Sequence, residues 1–194
     1  MHRQRDEVFV RALQAMRMGL LTSDAQALFA SRCSGPLQTP HGIEPTVLGT
    51  HLAAVDRVNT RKLDELPTAS CAFAAVDSGD SFNLNDSPFP STVRLKTDAQ
   101  VVCLWNHENL VNGSRGRVVG FSTVGLPLVL FMGIATVVEV QRVTWTHPTG
   151  DTTRNQLPLG LAWALTIHKS QGMVRLPPPR RIVLCRMLCF ALNV

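Results

Sequence analysis

Tyrosine is absent from this 194-residue sequence, and aromatic residues make up only 6% of it. No apolar stretch approaches the thickness of a bilayer. The apolar runs Leu126 to Val138 and Ile182 to Val194 are each 13 residues long, whereas a spanning helix needs about 20, so a soluble chain is expected. Cysteine is equally uninformative: Cys33, Cys71, Cys103, Cys185 and Cys189 are odd in number and mostly far apart. That pattern argues against a disulfide framework. The Cys185 and Cys189 pair has no histidine or second cysteine pair at ligand spacing, so no metal site is expected. Acidic residues are missing after Met173, where Arg175, Arg180, Arg181 and Arg186 lie. Without those four, the net charge of +5 shrinks to 15 basic against 14 acidic residues. A basic total therefore says little about nucleic acid, and the placement of the basic residues has to carry the argument.

What is present is 45% apolar content with 13 glycines and 12 prolines. That is enough apolar residue for one ordinary core, and the turn formers favour short elements in a mixed α/β chain. Phe9, Leu13, Met16 and Leu20 recur at helical spacing, which predicts an amphipathic helix over 5–18 ended by Gly19. Arginines and this periodicity give the start the look of a mitochondrial presequence, but Asp6 and Glu7 argue against one. A second helix is predicted over 25–32, capped by Thr22 or Ser23. The segment TVLGT at 46–50 reads as a buried strand leading into a helix that ends near Pro67. Residues 78–91 and 146–155 are polar and rich in turn formers, and both are expected as exposed loops. Between them, Thr92 to Trp145 alternates β-branched clusters with turn signals, which predicts a small all-β unit. Leu161 to Lys169 reads as an apolar helix.

The segment QLPLGLAWALTIHKSQGM at 156–173 carries the clearest chemistry. An apolar anchor delivers His168, Lys169, Ser170, Gln171 and Gly172 to one place. Backbone amides, an ammonium, a hydroxyl and a carboxamide there could converge on phosphate oxygens. By composition alone it could equally be a solvated helix terminus. Thr50 and His51 have two readings as well: groups at a strand mouth, or simply a strand end and helix cap. The NGSRG turn offers Arg115 and Arg117 as backbone contacts, or as a solvated tip. Trp105, Trp145 and Trp163 could stack on bases, although Trp163 suits a packed core.

The 156–173 segment closely resembles the LAWAxTIHKSQG motif of Pif-type (petite integration frequency) and RecD-like superfamily-one helicases. NLVNGSRGRVVGF at 109–121, followed by Gly125-Leu126-Pro127, is similar to the opening of the SH3-like barrel inserted in that family. THLAAVDRVNTRKLDELP at 50–67 and Arg3-Gln4-Arg5-Asp6 resemble two further family segments, in the same order along the chain. One departure is His2, where the family usually has Phe.

The resemblance implies an α/β chain: an incomplete RecA-like, P-loop NTPase-type second helicase domain over 1–91, an inserted small SH3-like β-barrel over 92–155, a return to the RecA-like domain over 156–173, and an unrelated tail over 174–194. It implies the C-terminal portion of an ATP-dependent 5′-to-3′ DNA helicase with ATP and Mg2+ as cofactors. Arg3, Gln4 and Gly172 would lie at the nucleotide cleft, Arg3 reaching the terminal phosphate. His168, Lys169, Ser170 and Gln171, with Thr50 and His51, would contact single-stranded DNA. No Gly-Lys pair occurs in these 194 residues, so the phosphate-gripping loop of such an enzyme is not among them. The expectation is therefore a chain inactive by itself, binding neither ATP nor Mg2+ tightly, with single-stranded DNA and a missing N-terminal RecA-like domain as partners, no membrane, and the nucleus or mitochondrion as location. The alternatives are a non-enzymatic module for single-stranded nucleic acid or a protein partner, and a gene-model fragment.

Overall fold

The computed structural model describes residues 6–33, 42–107 and 110–170. They fall in two compact units, divided between residues 33 and 42.

The first is a helical pair, α1 (Glu7–Arg17) and α2 (Ser23–Cys33). Asp6 caps α1, its carboxylate accepting from the Phe9 N–H at 3.1 Å. Glu7 in the first turn and Arg17 in the last complement the helix dipole. Gly19, with φ +75°, closes the helix in the left-handed conformation that glycine adopts most readily. Thr22 is the cap of α2, accepting from the Ala25 N–H at 3.2 Å. Phe9 and Ala12 are buried with Ala25 and Phe29, and the two phenyl rings meet edge to face at 6.3 Å. The buried stripe thus runs through Phe9, Ala12 and the partly buried Met16, whereas Leu13 and Leu20 point outward. Side-chain size alone misplaces the stripe by one position, because the close approach of α1 to α2 admits alanine.

The second unit begins with β1 (Val47–Gly49) and α3 (Leu52–Glu65). It returns, more than a hundred residues later, to β12 (Ala164–Thr166) and the single turn α4 (Ile167–Ser170). β1 and β12 pair in parallel, with Val47 opposite Ala164 and Gly49 opposite Thr166. The intervening chain is antiparallel β. β2 (Cys71–Ala74) pairs with β4 (Thr92–Leu95). β3 (Val76–Ser78), β10 (Thr153–Gln156) and β9 (Val143–Thr146) form a three-stranded sheet in that order. The remaining strands are β5 (Gln100–Cys103), β6 (Arg115–Phe121), β7 (Pro127–Phe131), β8 (Val137–Glu139) and β11 (Leu159–Leu161). They build a five-stranded sheet in the order β11-β5-β6-β7-β8. Val101, Val118, Val129, Phe131, Leu157 and Leu159 are fully buried in one cluster with Leu63 of α3. Each such side chain contributes about 1.5–3 kcal/mol over leaving it in water. Gly116 makes this packing possible: a Cβ there would stand 2.7 Å from Val129 Cγ1 and 2.9 Å from the Leu130 carbonyl oxygen.

Three expectations are corrected. Leu161 to Lys169 is not a helix: β11, a bend and β12 occupy it, and helix begins only at Ile167. A strand buried on both faces reads as an unbroken apolar run, which periodicity cannot separate from a buried helix. Trp163 is buried as expected, but it sits in that bend. Residues 78–91 are also more than an exposed connection. They hold a 3-10 turn at Asn83–Asp86 and are anchored by Phe89, which is buried and meets Trp105 edge-on at 5.9 Å. Finally, β10 takes up the end of the stretch 146–155, with Thr152 and Arg154 buried. Its polar side chains find their partners inside the fold: Arg154 donates to both Asp77 carboxylate oxygens at 2.7 and 2.8 Å and to the Phe89 carbonyl at 2.9 Å. Among the described residues, no helix is long and apolar enough to cross a membrane. Cys71 and Cys103 are free thiols, and burial pushes the Cys103 thiol pKa up.

The Arg154 guanidinium hydrogen-bonds Asp77 and holds its carboxyl below the usual carboxylate range, against the opposing effect of burial. A depressed folded pKa contributes stability that is complete above the unfolded value and is lost as pH falls through the folded one. Asp77→Asn is expected to cost about 2 kcal/mol in urea unfolding at pH 7. The difference between variant and parent should shrink below about pH 4, and a difference that stays constant to lower pH would contradict this origin.

Candidate nucleic-acid interface

Parallel pairing in register sets the carboxyl ends of β1 and β12 side by side, the position at which open α/β sheets hold ligands. Thr50 and His51 follow directly from β1, and Ile167 to Ser170 follow directly from β12. Four of the residues singled out from the sequence, Thr50, His51, His168 and Lys169, are thereby brought to one edge, and all four are exposed. Nothing in their separation along the chain required this.

Local chemistry fixes both ends. Gly49 lets the first turn of α3 close onto β1, since a Cβ there would stand 2.8 Å from Val55 Cγ2. His51 is the N-cap of α3, with extended backbone at φ −116° and ψ 134°, yet its side chain makes no capping hydrogen bond. The first turn contains no acidic residue either. The positive end of the α3 dipole therefore faces this edge uncompensated by a cap or by a first-turn carboxylate, a favourable setting for an anion. On the other side, the Lys169 N–H donates to Thr166 Oγ1 at 3.3 Å and the Ser170 hydroxyl donates to the Ile167 carbonyl at 2.7 Å. These bonds curl the chain and leave the ammonium of Lys169 outward. The Ser170 oxygen retains acceptor capacity, but its proton is engaged.

Two buried carboxamides that no sequence motif flags hold this edge together. Asn59 of α3 donates from Nδ2 to the Ala164 carbonyl and accepts from the Ala164 N–H through Oδ1, both at 2.9 Å. Gln100 of β5 donates from Nε2 to the carbonyls of Glu44 and Ala162 at 2.9 and 2.8 Å, and accepts from the Glu44 N–H at 2.8 Å. Asn59 was legible in principle, because it stands between Val55 and Leu63 at helical spacing on the buried face.

Other candidates are placed elsewhere. Arg115 and Arg117 lie in β6 rather than at a hairpin tip. Arg115 donates to Thr46 Oγ1 at 3.0 Å, and Arg117 pairs with Asp98 at 3.1 Å. Trp145 and Trp163 are buried, so of the three tryptophans only Trp105 presents substantial surface. Arg3, Gln4, Gln171 and Gly172 lie outside the described residues. Among the described residues, no group of three or more His, Cys, Asp or Glu side chains could hold a metal ion.

No protein-family model matches the chain. A human protein named ATP-dependent DNA helicase PIF1 is 39% identical over 181 residues, which take in 88% of this chain and 28% of that protein. A crystal structure of Pif1 helicase from Candida albicans superposes with TM-score 0.64 at 33% identity, covering 89% of this chain and 46% of that one. The chain belongs to the Pif1 helicase family. Its mixed α/β fold is shared with Pif1 helicase structures, including that of Bacteroides Pif1 bound to single-stranded DNA. That structure is 26% identical with TM-score 0.60, covering 88% of this chain and 42% of that one. This Pif1-family chain spans about 28% of the length of the human relative and of a Danio rerio relative of the same name.

Thr166→Ala removes the acceptor for the Lys169 N–H. The expected loss is about 1 kcal/mol, as for a helix cap, confined to the turn 167–170. Amide exchange at Lys169 should accelerate while exchange in β5 and β6 stays unchanged, and equal exchange at Lys169 in parent and variant would refute the capping role.

Proposed function

We propose that the chain supplies part of the second RecA-like domain, with its inserted SH3-like β unit, of an ATP-dependent 5′-to-3′ DNA helicase. In this reading Thr50, His51, His168, Lys169, Ser170 and Gln171 form a contact line for single-stranded DNA. The observation that carries it is the parallel, in-register pairing of β1 with β12. This pairing gathers exposed histidine, lysine and hydroxyl groups beside an uncapped helix N-terminus, on a chain whose relative was crystallised with single-stranded DNA.

Chemically, such an edge binds phosphates and is indifferent to base identity. Lys169 offers a compact point charge, Thr50 offers a hydroxyl donor and α3 offers its dipole, all of them backbone-directed, and Ser170 would join them by turning its proton from the Ile167 carbonyl to a phosphate oxygen. Arg3, Gln4 and Gly172 lie outside the described residues, no Gly-Lys pair occurs in the sequence, and the described residues gather no acidic cluster for Mg2+. In this reading ATP and Mg2+ would be held chiefly by residues other than these 194, and no step through the nucleotide is assigned to the residues described.

Titration of labelled single-stranded DNA over a range of salt concentrations tests the contact line. Binding should weaken steeply with salt, and Lys169→Ala should lower the slope of log affinity against log salt by about 0.7. Binding that ignores salt, or a Lys169→Ala slope equal to the parent's, would refute the assignment. A separate assay of DNA-stimulated ATP hydrolysis should find none above background for the isolated chain. Turnover that persists through purification would mean that a complete cleft is assembled from these residues.

A further inference from the structure

We propose that Asn59 and Gln100 are positioning residues for the DNA-facing edge, two buried carboxamides that hold the ends of β1 and β12 at one fixed separation. The inference rests on the contact line proposed above and names what sets its geometry.

The argument starts from an imbalance in β12. It is three residues long and has one strand neighbour among the described residues, so alternate N–H and C=O groups point away from β1. Those of Ala164 are buried, and they meet the Asn59 carboxamide in the two-bond pattern that a third strand would offer. Asn59 sits two turns into α3, the helix whose N-cap is His51. A single side chain therefore ties the helix that starts at His51 to the strand that ends two residues before His168. The antiparallel sheet supplies the second tie. Gln100 binds both main-chain groups of Glu44, three residues before β1, and the carbonyl of Ala162, two residues before β12. The Ala162 N–H also donates to the Gln100 carbonyl at 2.9 Å, and the Thr46 hydroxyl donates to the Ala162 carbonyl at 2.8 Å. The approaches to both strands are thus stapled to one residue of β5.

An amide is required at both places because each position must donate and accept at once. Aspartate at 59 keeps the acceptor for the Ala164 N–H but sets a carboxylate oxygen against the Ala164 carbonyl. Glutamate at 100 does the same against Glu44 and Ala162. Both changes preserve size; Asn59→Asp reverses one hydrogen bond and Gln100→Glu two, so they perturb the separation of the two strand ends with little change in packing volume.

The experiment compares the full chain with Asn59→Asp and, separately, Gln100→Glu, each checked for folding by far-UV circular dichroism. Hydrogen-exchange mass spectrometry reads the clamp without ligand: peptides spanning 162–170 should exchange roughly tenfold faster in the variants, while β6 and β7 keep the parent's rate. Titration with labelled oligothymidine then reads positioning. Partial unfolding lowers affinity by the same factor at every salt concentration, whereas moving one cationic group out of line with its phosphate lowers the salt slope by about 0.7. A reduced slope in either folded variant supports the proposal, and the parent's slope in both overturns it. Exchange over 162–170 equal to the parent's also overturns it. Should the unaltered chain fail to bind oligothymidine, the contact line itself falls, and the exchange comparison alone still decides whether the carboxamides hold the edge.

Discussion

The geometry of the edge turns on how β12 is satisfied. With one strand neighbour among the described residues, this three-residue parallel strand leaves main-chain groups to be met by side chains, and each buried group left unpaired costs about 1–3 kcal/mol. β1 takes one side of the strand, and the Asn59 carboxamide takes the other at Ala164. The turn 167–170 that follows β12, with His168 and Lys169, inherits its position from these bonds. An apolar residue at 59 would fill the space as well but would leave both Ala164 groups without a partner.

The same constraint explains how the fold accommodates more than a hundred residues between two paired strands. The antiparallel strands pack around Val101, Val118, Val129 and Phe131, in a core they share with Leu63 of α3. They also have their own polar anchors, the Arg154–Asp77 pair and the Gln156 carboxamide, which donates to the Phe73 carbonyl at 2.9 Å while accepting from the Leu157 N–H at 2.8 Å. Hydrogen bonds between the five-stranded sheet and the approaches to the parallel pair come from Gln100, at Glu44 and Ala162, and from Arg115, at Thr46. A unit whose polar groups are satisfied internally, and which is joined through a shared apolar core and a few directional bonds, adds its mass without changing the register of the strands it separates. The exposed groups at the strand ends then sit on the helix starts that follow β1 and β12, held by a rigid scaffold.

How much of this could be read in advance differs by element. The strand at 47–49, the helix after it, both helices of the first unit and the β-rich middle were visible, because periodicity and turn residues act over a few positions. The stretch 161–169 was misread because the sequence of a doubly buried strand carries no period to distinguish it from a buried helix. The polar residues of β10 looked like loop, since a sequence displays side-chain polarity and not the partner, here Asp77 77 positions away, that makes burial tolerable. For the candidate site, the polar cluster at 168–171 announced itself by its abrupt break from an apolar run, while the carboxamides that place it did not, because each bonds main chain 56 to 105 residues distant.

The sequence alone determined which residues could serve a phosphate-binding edge, that the chain alternates α/β with antiparallel β, and which family it resembles. These are properties of residue type and local order. Tertiary structure decided that Thr50 and His51 stand beside His168 and Lys169, that Arg115 and Arg117 are engaged within the fold, and that Asn59 and Gln100 govern the edge. Those outcomes depend on strand register and on hydrogen bonds between distant segments. Such bonds exist only once the chain has closed on itself, so no local pattern can encode them.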